Sequence, residues 1–307
     1  MFSENFPFDV IIANEQLCSL AAEYKRTMEE ERLIGLANGY EDLKWREELF
    51  VDTIVDYLPL CALSAEERDK CQQRAHSLTK RAVNQLRCYN ENKKDANSGE
   101  IGEILLYGIM QYYFHADESV PKIFYKQNRN NLVTGADSIH IIVEENEFSF
   151  WLGESKLYED LNQAMTSAVE SVKAMLDRAK LNKEKSYISG INDIRNSASL
   201  SKYKDEIIAI LSESESVDKF RCKLHVPILL MSEDKEVREA QELNDALKMR
   251  LKEKYIRNAV IFFEKLKSAF ASDANLCKGV KFHLILFPVH DVKKLNVEFS
   301  KIKKFYS

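Results

Sequence analysis

The strongest constraint on this fold is the segment Phe148–Lys156, where apolar residues alternate along an extended stretch and then give way to charge. Side chains alternate across a strand, so Phe148, Phe150, Leu152, Glu154 and Lys156 share one face. On that face an apolar run leads directly to a carboxylate and an ammonium. Glu-x-Lys by itself says little, because it occurs four times in the chain: Glu23/Lys25, Glu91/Lys93, Glu154/Lys156 and Glu233/Lys235. Only the third stands at the end of an apolar strand. The others lie in helical or polar surroundings, where solvated charge is the simple explanation.

Around that strand the pattern alternates between sheet and helix periods. A strongly apolar helix is expected from Glu100 to about Phe114, then a short strand at Ile123–Gln127, a loop from Asn128 to Ala136 and a strand at Asp137–Val143. Glu144–Glu147 makes a turn into Phe148–Lys156. An amphipathic helix follows from Leu157 to about Lys180, with Leu161, Ala164, Met165, Ala168, Val172 and Met175 inward. Next come a buried strand at Val226–Met231, a long helix from Lys235 to Leu266, a strand at Val280–Phe287 and a basic C-terminal helix. The order α-β-β-β-α-β, then α-β-α, predicts an α/β fold with a mixed central sheet flanked by helices.

The first ninety-five residues read as helical. Leu17, Leu20, Ala21, Tyr24 and Met28 recur at helical spacing, as do Leu49, Ile54, Tyr57 and Leu58, and Ser64-Ala65-Glu66-Glu67 looks like the capped start of a helix running towards Tyr89. The polar, turn-rich stretch Asn90–Gly99 is the natural boundary, which divides the chain into a helical region at 1–95 and a sheet domain at 96–307.

The 307 residues are 45% hydrophobic and 30% charged, with nine Gly and five Pro, which excludes disordered and collagen-like chains. Val226–Met231 and Ile104–Met110 fall far short of the ~18 apolar residues of a membrane span. The start, Met1–Pro7, has no basic segment leading into an apolar one, so no signal peptide is expected and a cytoplasmic chain is. Cys18, Cys61, Cys71, Cys88, Cys222 and Cys277 form no zinc-type spacing and are expected as reduced, mostly buried thiols. The six histidines are scattered.

Centring the turn between Glu145 and Asn146 makes hairpin partners sum to 291, so Val143 faces Phe148 and Asp137 faces Glu154. Two carboxylates then stand opposite at roughly 4.5–5.5 Å between Cβ atoms, which is destabilising without a cation between them. A hard divalent ion, Mg²⁺ or Mn²⁺, answers this. Glu103 is the one carboxylate within Ile101–Met110; burying it unpaired costs several kcal/mol, so it needs a partner or a wet cleft. Glu100, near the helix start, is the back-up ligand. Carboxylates plus a lysine at a sheet end suit metal-assisted phosphodiester hydrolysis, with Lys156 orienting water or stabilising charge on phosphorus. The same residues read equally as a strand-end salt bridge, Asp137–Lys156 or Glu154–Lys156, with no metal.

Element order, Asp137 on the second strand, Glu154-Ser155-Lys156 on the third and Glu103 on the preceding helix resemble the PD-(D/E)xK nuclease superfamily and its restriction-endonuclease-like core. Gly99–Tyr107 (GEIGEILLY), Gly135–His140 (GADSIH) and Trp151–Tyr158 (WLGESKLY) resemble, more narrowly, the HamA family, the nuclease subunit of the bacterial Hachiman antiphage defence system. The resemblance spans about Ser98 to Met175. It implies a metal-dependent DNA nuclease held in check by a helicase partner, HamB, and released for broad DNA degradation and abortive infection. Residue by residue it makes Asp137, Glu154 and Glu103 metal ligands and Lys156 the catalytic lysine. Ala136 stands where the superfamily's proline would be. A non-catalytic adaptor for a helicase, and a nuclease acting on RNA, are the competing expectations.

Gln163 is read as a solvated helix-face amide before a site glutamine of the kind some related nucleases keep, His140 as a core or surface histidine, and Tyr107, Trp151 and Tyr158 as packing or site wall. Arg129, with Asn128, Asn130 and Asn131, is expected in a polar loop beside Asp137, as a phosphate contact or equally as a plain solvated loop. The formal charge of −5 falls unevenly: residues 1–95 hold 13 basic and 18 acidic groups, and 96–307 hold 31 of each. Local basic surpluses at 245–268 (seven to three) and 278–307 (seven to two) are candidate phosphate-tracking faces, and the acidic region is assigned to partner contact or to shielding a DNA groove.

Overall fold

In the computed structural model the described residues are 6–25, 28, 30–70, 74–90, 96–116, 118–120, 135–144, 146–190 and 200–306. Their backbone is a mixed α/β fold around a seven-stranded sheet of order β1-β2-β9-β8-β7-β6-β5. The strands are β1 (Asp9–Gln16), β2 (Glu30–Ala37), β5 (Glu118–Val120), β6 (Ser138–Val143), β7 (Phe148–Tyr158), β8 (Leu224–Glu233) and β9 (Lys281–Val289), with β3 (Tyr40–Glu41) and β4 (Lys44–Trp45) forming a separate hairpin. The centre is parallel, β2 with β9, β9 with β8 and β8 with β7, and both margins are antiparallel. Strands β8 and β9 are nearly continuous apolar runs because both of their faces are covered, as parallel central strands require.

Helices α1 (Leu17–Leu20), α2 (Glu47–Ala62), α3 (Ala65–Asp69), α4 (Ala75–Asn90) and α5 (Ala96–Tyr112) precede β5. Helices α6 (Leu161–Met175), α7 (Arg178–Ser189), α8 (Lys204–Leu211) and α9 (Val217–Arg221) lie between β7 and β8. Helices α10 (Lys235–Glu239) and α11 (Asp245–Ala269) precede β9, and α12 (Val292–Phe305) follows it. Alternation along β7 assigns the layers. Ser155 meets Gly102 of α5, whereas Glu154 bonds Ser171 of α6, so α5 and α6 cover opposite faces. Helices α2 and α12 back α5, and α11 backs α6 and reaches β1 and β2.

The α2–α5 contact depends on one residue without a side chain. A Cβ at Gly108 would lie 1.9 Å from Cδ2 of the buried Tyr57 ring. Gly108→Ala therefore forces two packed helices apart and is expected to cost about 1–3 kcal/mol. A thermal melt should show Tm lowered by roughly 2–5 °C; an unchanged Tm would refute the contact.

The hairpin register is the expected one, from Ser138↔Gly153 to Val143↔Phe148. The inner face of α6 is as expected too: Ala164, Met165, Ala168, Val172 and Met175 are buried. Other elements differ. The expected Leu17–Met28 helix is a single turn, α1, between β1 and β2, so residues 1–95 are not wholly helical. Pairing β2 along β9 covers an otherwise bare edge of the sheet, and that tertiary gain overrides local helical spacing. Ser64 and Glu67 do form a reciprocal capping box, but on the short α3, and α4 starts anew. The helix expected from Leu157 begins at Leu161, because Leu157 and Tyr158 continue β7 and Asp160 caps α6 by accepting from Gln163 N–H. The helix expected from Lys235 to Leu266 is split into α10 and α11, the latter capped by Asn244. The strand expected at Ile123–Gln127, and Asn128, Arg129, Asn130 and Asn131, lie outside the described residues.

Candidate active site on β6 and β7

Asp137 is the residue immediately before β6, half-buried, and its N–H donates to Gly153 O at 2.6 Å. That bond extends the hairpin register by one step and sets Asp137 beside Glu154. The Asp137 carboxylate is fixed by Ser155, whose N–H (2.9 Å) and Oγ (3.1 Å) both donate to Oδ2. Glu154 is buried, and Lys156 Nζ lies 2.5 Å from its Oε1. Tyr158 is close enough to influence the Lys156 ammonium, and its hydroxyl donates to Ser167 Oγ on α6 at 3.2 Å.

The electrostatics follow from burial. Desolvation, then the charge of Asp137, push Glu154 up to about 7, against the lowering effects of Lys156 and Ser171. Lys156 moves up as well: desolvation is its largest single influence and acts downward, but the Glu154 and Asp137 charges together outweigh it. Two carboxylates thus share a single ammonium in a poorly hydrated place. Two all-oxygen donors, one of them holding a proton that a cation can replace, fit a hard divalent cation.

The two helix acids stand on α5. Glu103 is half-buried in an otherwise buried stretch of α5, and burial followed by the Glu103 charge pushes the Cys61 thiol of α2 up. Glu100 is buried with Lys303 Nζ of α12 2.5 Å from its Oε2, an ion pair that already occupies the back-up ligand. Among the described residues no group of three or more His, Cys, Asp or Glu side chains is gathered closely enough to hold a metal ion. Gln163 is exposed. His140 is a fully buried core residue packed on Tyr107, with ring centroids 4.9 Å apart, and burial pulls it down to about 3. Trp151 is likewise buried, against Phe114, His225 and His283.

Ser155 and Ser171 are hydrogen-bond neighbours of Asp137 and Glu154 not anticipated from sequence. Ser171 was legible in principle, since it is a polar residue one helical turn past the buried Ala168. The basic surpluses are largely answered by acids: Lys248 by Asp9, Arg250 by Glu236, Lys254 by Asp234, Lys294 by Glu47 and Lys303 by Glu100. Cys18, Cys61, Cys222 and Cys277 are free thiols; only Cys61 is buried, and Cys18 and Cys222 are exposed, contrary to the expected burial. Among the described residues no helix is long and apolar enough to cross a membrane.

A mixed sheet that brings two carboxylates and a lysine together at the end of a hairpin defines an α/β protein with a charged strand-end site. The HamA family model matches residues 14–302, and the chain belongs to that family. Membership points to a component of the Hachiman defence system. No curated protein matches the chain.

Proposed function

We propose that this protein is a metal-dependent DNA nuclease with a PD-(D/E)xK core, the effector of an antiphage complex in which a HamB-like helicase releases it for broad DNA degradation in the cytoplasm. The observation that carries this reading is the buried Glu154 between the Asp137 charge and the Lys156 ammonium. The succession α5, β5, β6, β7, α6, β8 is compatible with such a core. Asp137 and Glu154 would hold Mg²⁺ or Mn²⁺, with Glu103 of α5 as the further acid of the set. Since Asp137 Oδ2 is committed to Ser155, its Oδ1 is the oxygen left for coordination. The bound ion would polarise a phosphoryl oxygen and acidify the attacking water. Lys156, released from Glu154, would place its ammonium against the charge developing on phosphorus.

A second reading has its own observation: the closed Lys156–Glu154 pair is also what a metal-free strand-end salt bridge in a non-catalytic helicase adaptor looks like. Plasmid DNA incubated with Mg²⁺ and the purified chain, with and without an ATP-driven helicase partner, separates the two. Wild type is expected to degrade the plasmid, and Glu154→Ala to leave it intact while keeping its fold by circular dichroism. DNA that survives wild type with the partner and ATP present favours the adaptor. RNA offered in parallel tests the sugar.

A further inference from the structure

The carboxylate of Glu184 on α7 is buried, with only 3% of the residue exposed, and it occupies the space where a side chain at Gly135 would be. A Cβ built on Gly135 would lie 1.4 Å from Glu184 Oε1 and 2.6 Å from its Cδ. Among the described glycines only Gly279 has a positive φ, so Gly135 is demanded by space and not by backbone conformation. Two residues later comes Asp137, whose N–H bond to Gly153 O starts the hairpin. Helix α7 is itself firmly placed. Asp177 caps it by accepting from the N–H groups of Ala179 and Lys180, Leu181 and Ile188 are fully buried, and Lys185 Nζ donates to Glu215 O at 2.8 Å. Leu181, Glu184, Lys185 and Ile188 form one inward stripe of the helix, so the buried glutamate is held by an anchored element.

We propose that Glu184 is a positioning residue for the candidate metal site: its carboxylate, pressed on the Gly135 backbone, fixes the turn that delivers Asp137 to Ser155 and Glu154. The proposal rests on the nuclease reading for its metal and adds a residue that touches neither metal nor substrate. It also explains the glycine of Gly135-Ala136-Asp137, since any larger residue there displaces the glutamate.

The test is a pairwise cycle in the full chain, using Gly135→Ala, Glu184→Ala and the double variant, together with Glu184→Gln. The first readout is amide hydrogen exchange at Asp137 and Ser155 without metal. The second is the Mg²⁺ or Mn²⁺ concentration that half-saturates the metal-induced rise in Tm. Gly135→Ala alone should speed exchange and raise the metal midpoint about tenfold or more, as loss of a residue supporting a metal ligand does. In the Glu184→Ala background it should add nothing, because the Cβ then has room. Glu184→Gln, which keeps the shape, should retain slow exchange better than Glu184→Ala. Equal effects of Gly135→Ala in both backgrounds, or a wild-type exchange rate in Glu184→Ala, would overturn the proposal. A wild type whose Tm ignores both metals defeats the metal reading instead, and the exchange cycle still decides the role of Glu184.

Discussion

Lys156→Ala is expected to reduce Mg²⁺-dependent plasmid degradation by about 10²–10³-fold, the range lost when one preorganised group facing developing charge is removed. Cells carrying this variant with an intact helicase partner should lose phage protection to the same degree. The fold should survive. Lys156 is only partly buried, and its removal leaves Glu154 free to take a proton in place of the lost ammonium. A circular dichroism spectrum like that of wild type, with a change in Tm of only a few degrees, would confirm that chemistry and not folding was lost. Degradation at the wild-type rate would remove Lys156 from the mechanism and with it the main chemical argument for a nuclease.

How much of this was readable in the sequence depended on whether local pattern or distant pairing decided the outcome. The β6–β7 hairpin was legible because both strands and their turn lie within about twenty residues of chain, and alternation fixes their register once the turn is centred. Asp137 beside Glu154 follows from that register alone. The N-terminal strands were not legible. β2 lies beside β9, some two hundred and fifty residues away, and nothing local to Glu30–Ala37 announces that partner. The same holds for the scattered histidines: His225 Nδ1 and His283 Nε2 meet at 3.0 Å, and His283 Nδ1 meets Asn14 Oδ1 at 2.9 Å, because three strands converge. Glu103 was legible only in part. Its isolation in an apolar helix correctly signalled a partner, but helical spacing does not say which neighbour it faces, and its charge bears on Cys61 of α2. Lysine clusters were legible only as counts, since composition does not show that Lys294 and Lys303 pair with Glu47 and Glu100.

Glu154 makes the metal-free protein lose stability as pH rises, the reverse of the usual behaviour of a paired carboxylate. Its folded value of about 7 lies above the ordinary 4.5, so between those values the folded state keeps a proton that the unfolded chain has released. Stability from this group is therefore full below about pH 4.5, falls through the interval, and is lost once pH passes about 7. The loss is of order 3 kcal/mol at 1.36 kcal/mol per unit. Glu154→Gln mimics the protonated form at every pH and should remove that slope. Urea melts in EDTA at pH 5, 6, 7 and 8 should show wild type and variant close at the acid end, with the variant pulling ahead by about 1–3 kcal/mol at pH 8. A difference that stays constant with pH would mean that Glu154 does not titrate in this range. Added Mg²⁺ should close the gap at pH 8 by replacing the proton, and should do little for wild type at pH 5, where the proton holds the carboxylate against the metal. Metal that stabilises wild type equally at pH 5 and pH 8, or Glu154→Gln as much as wild type, would place the ion away from Glu154.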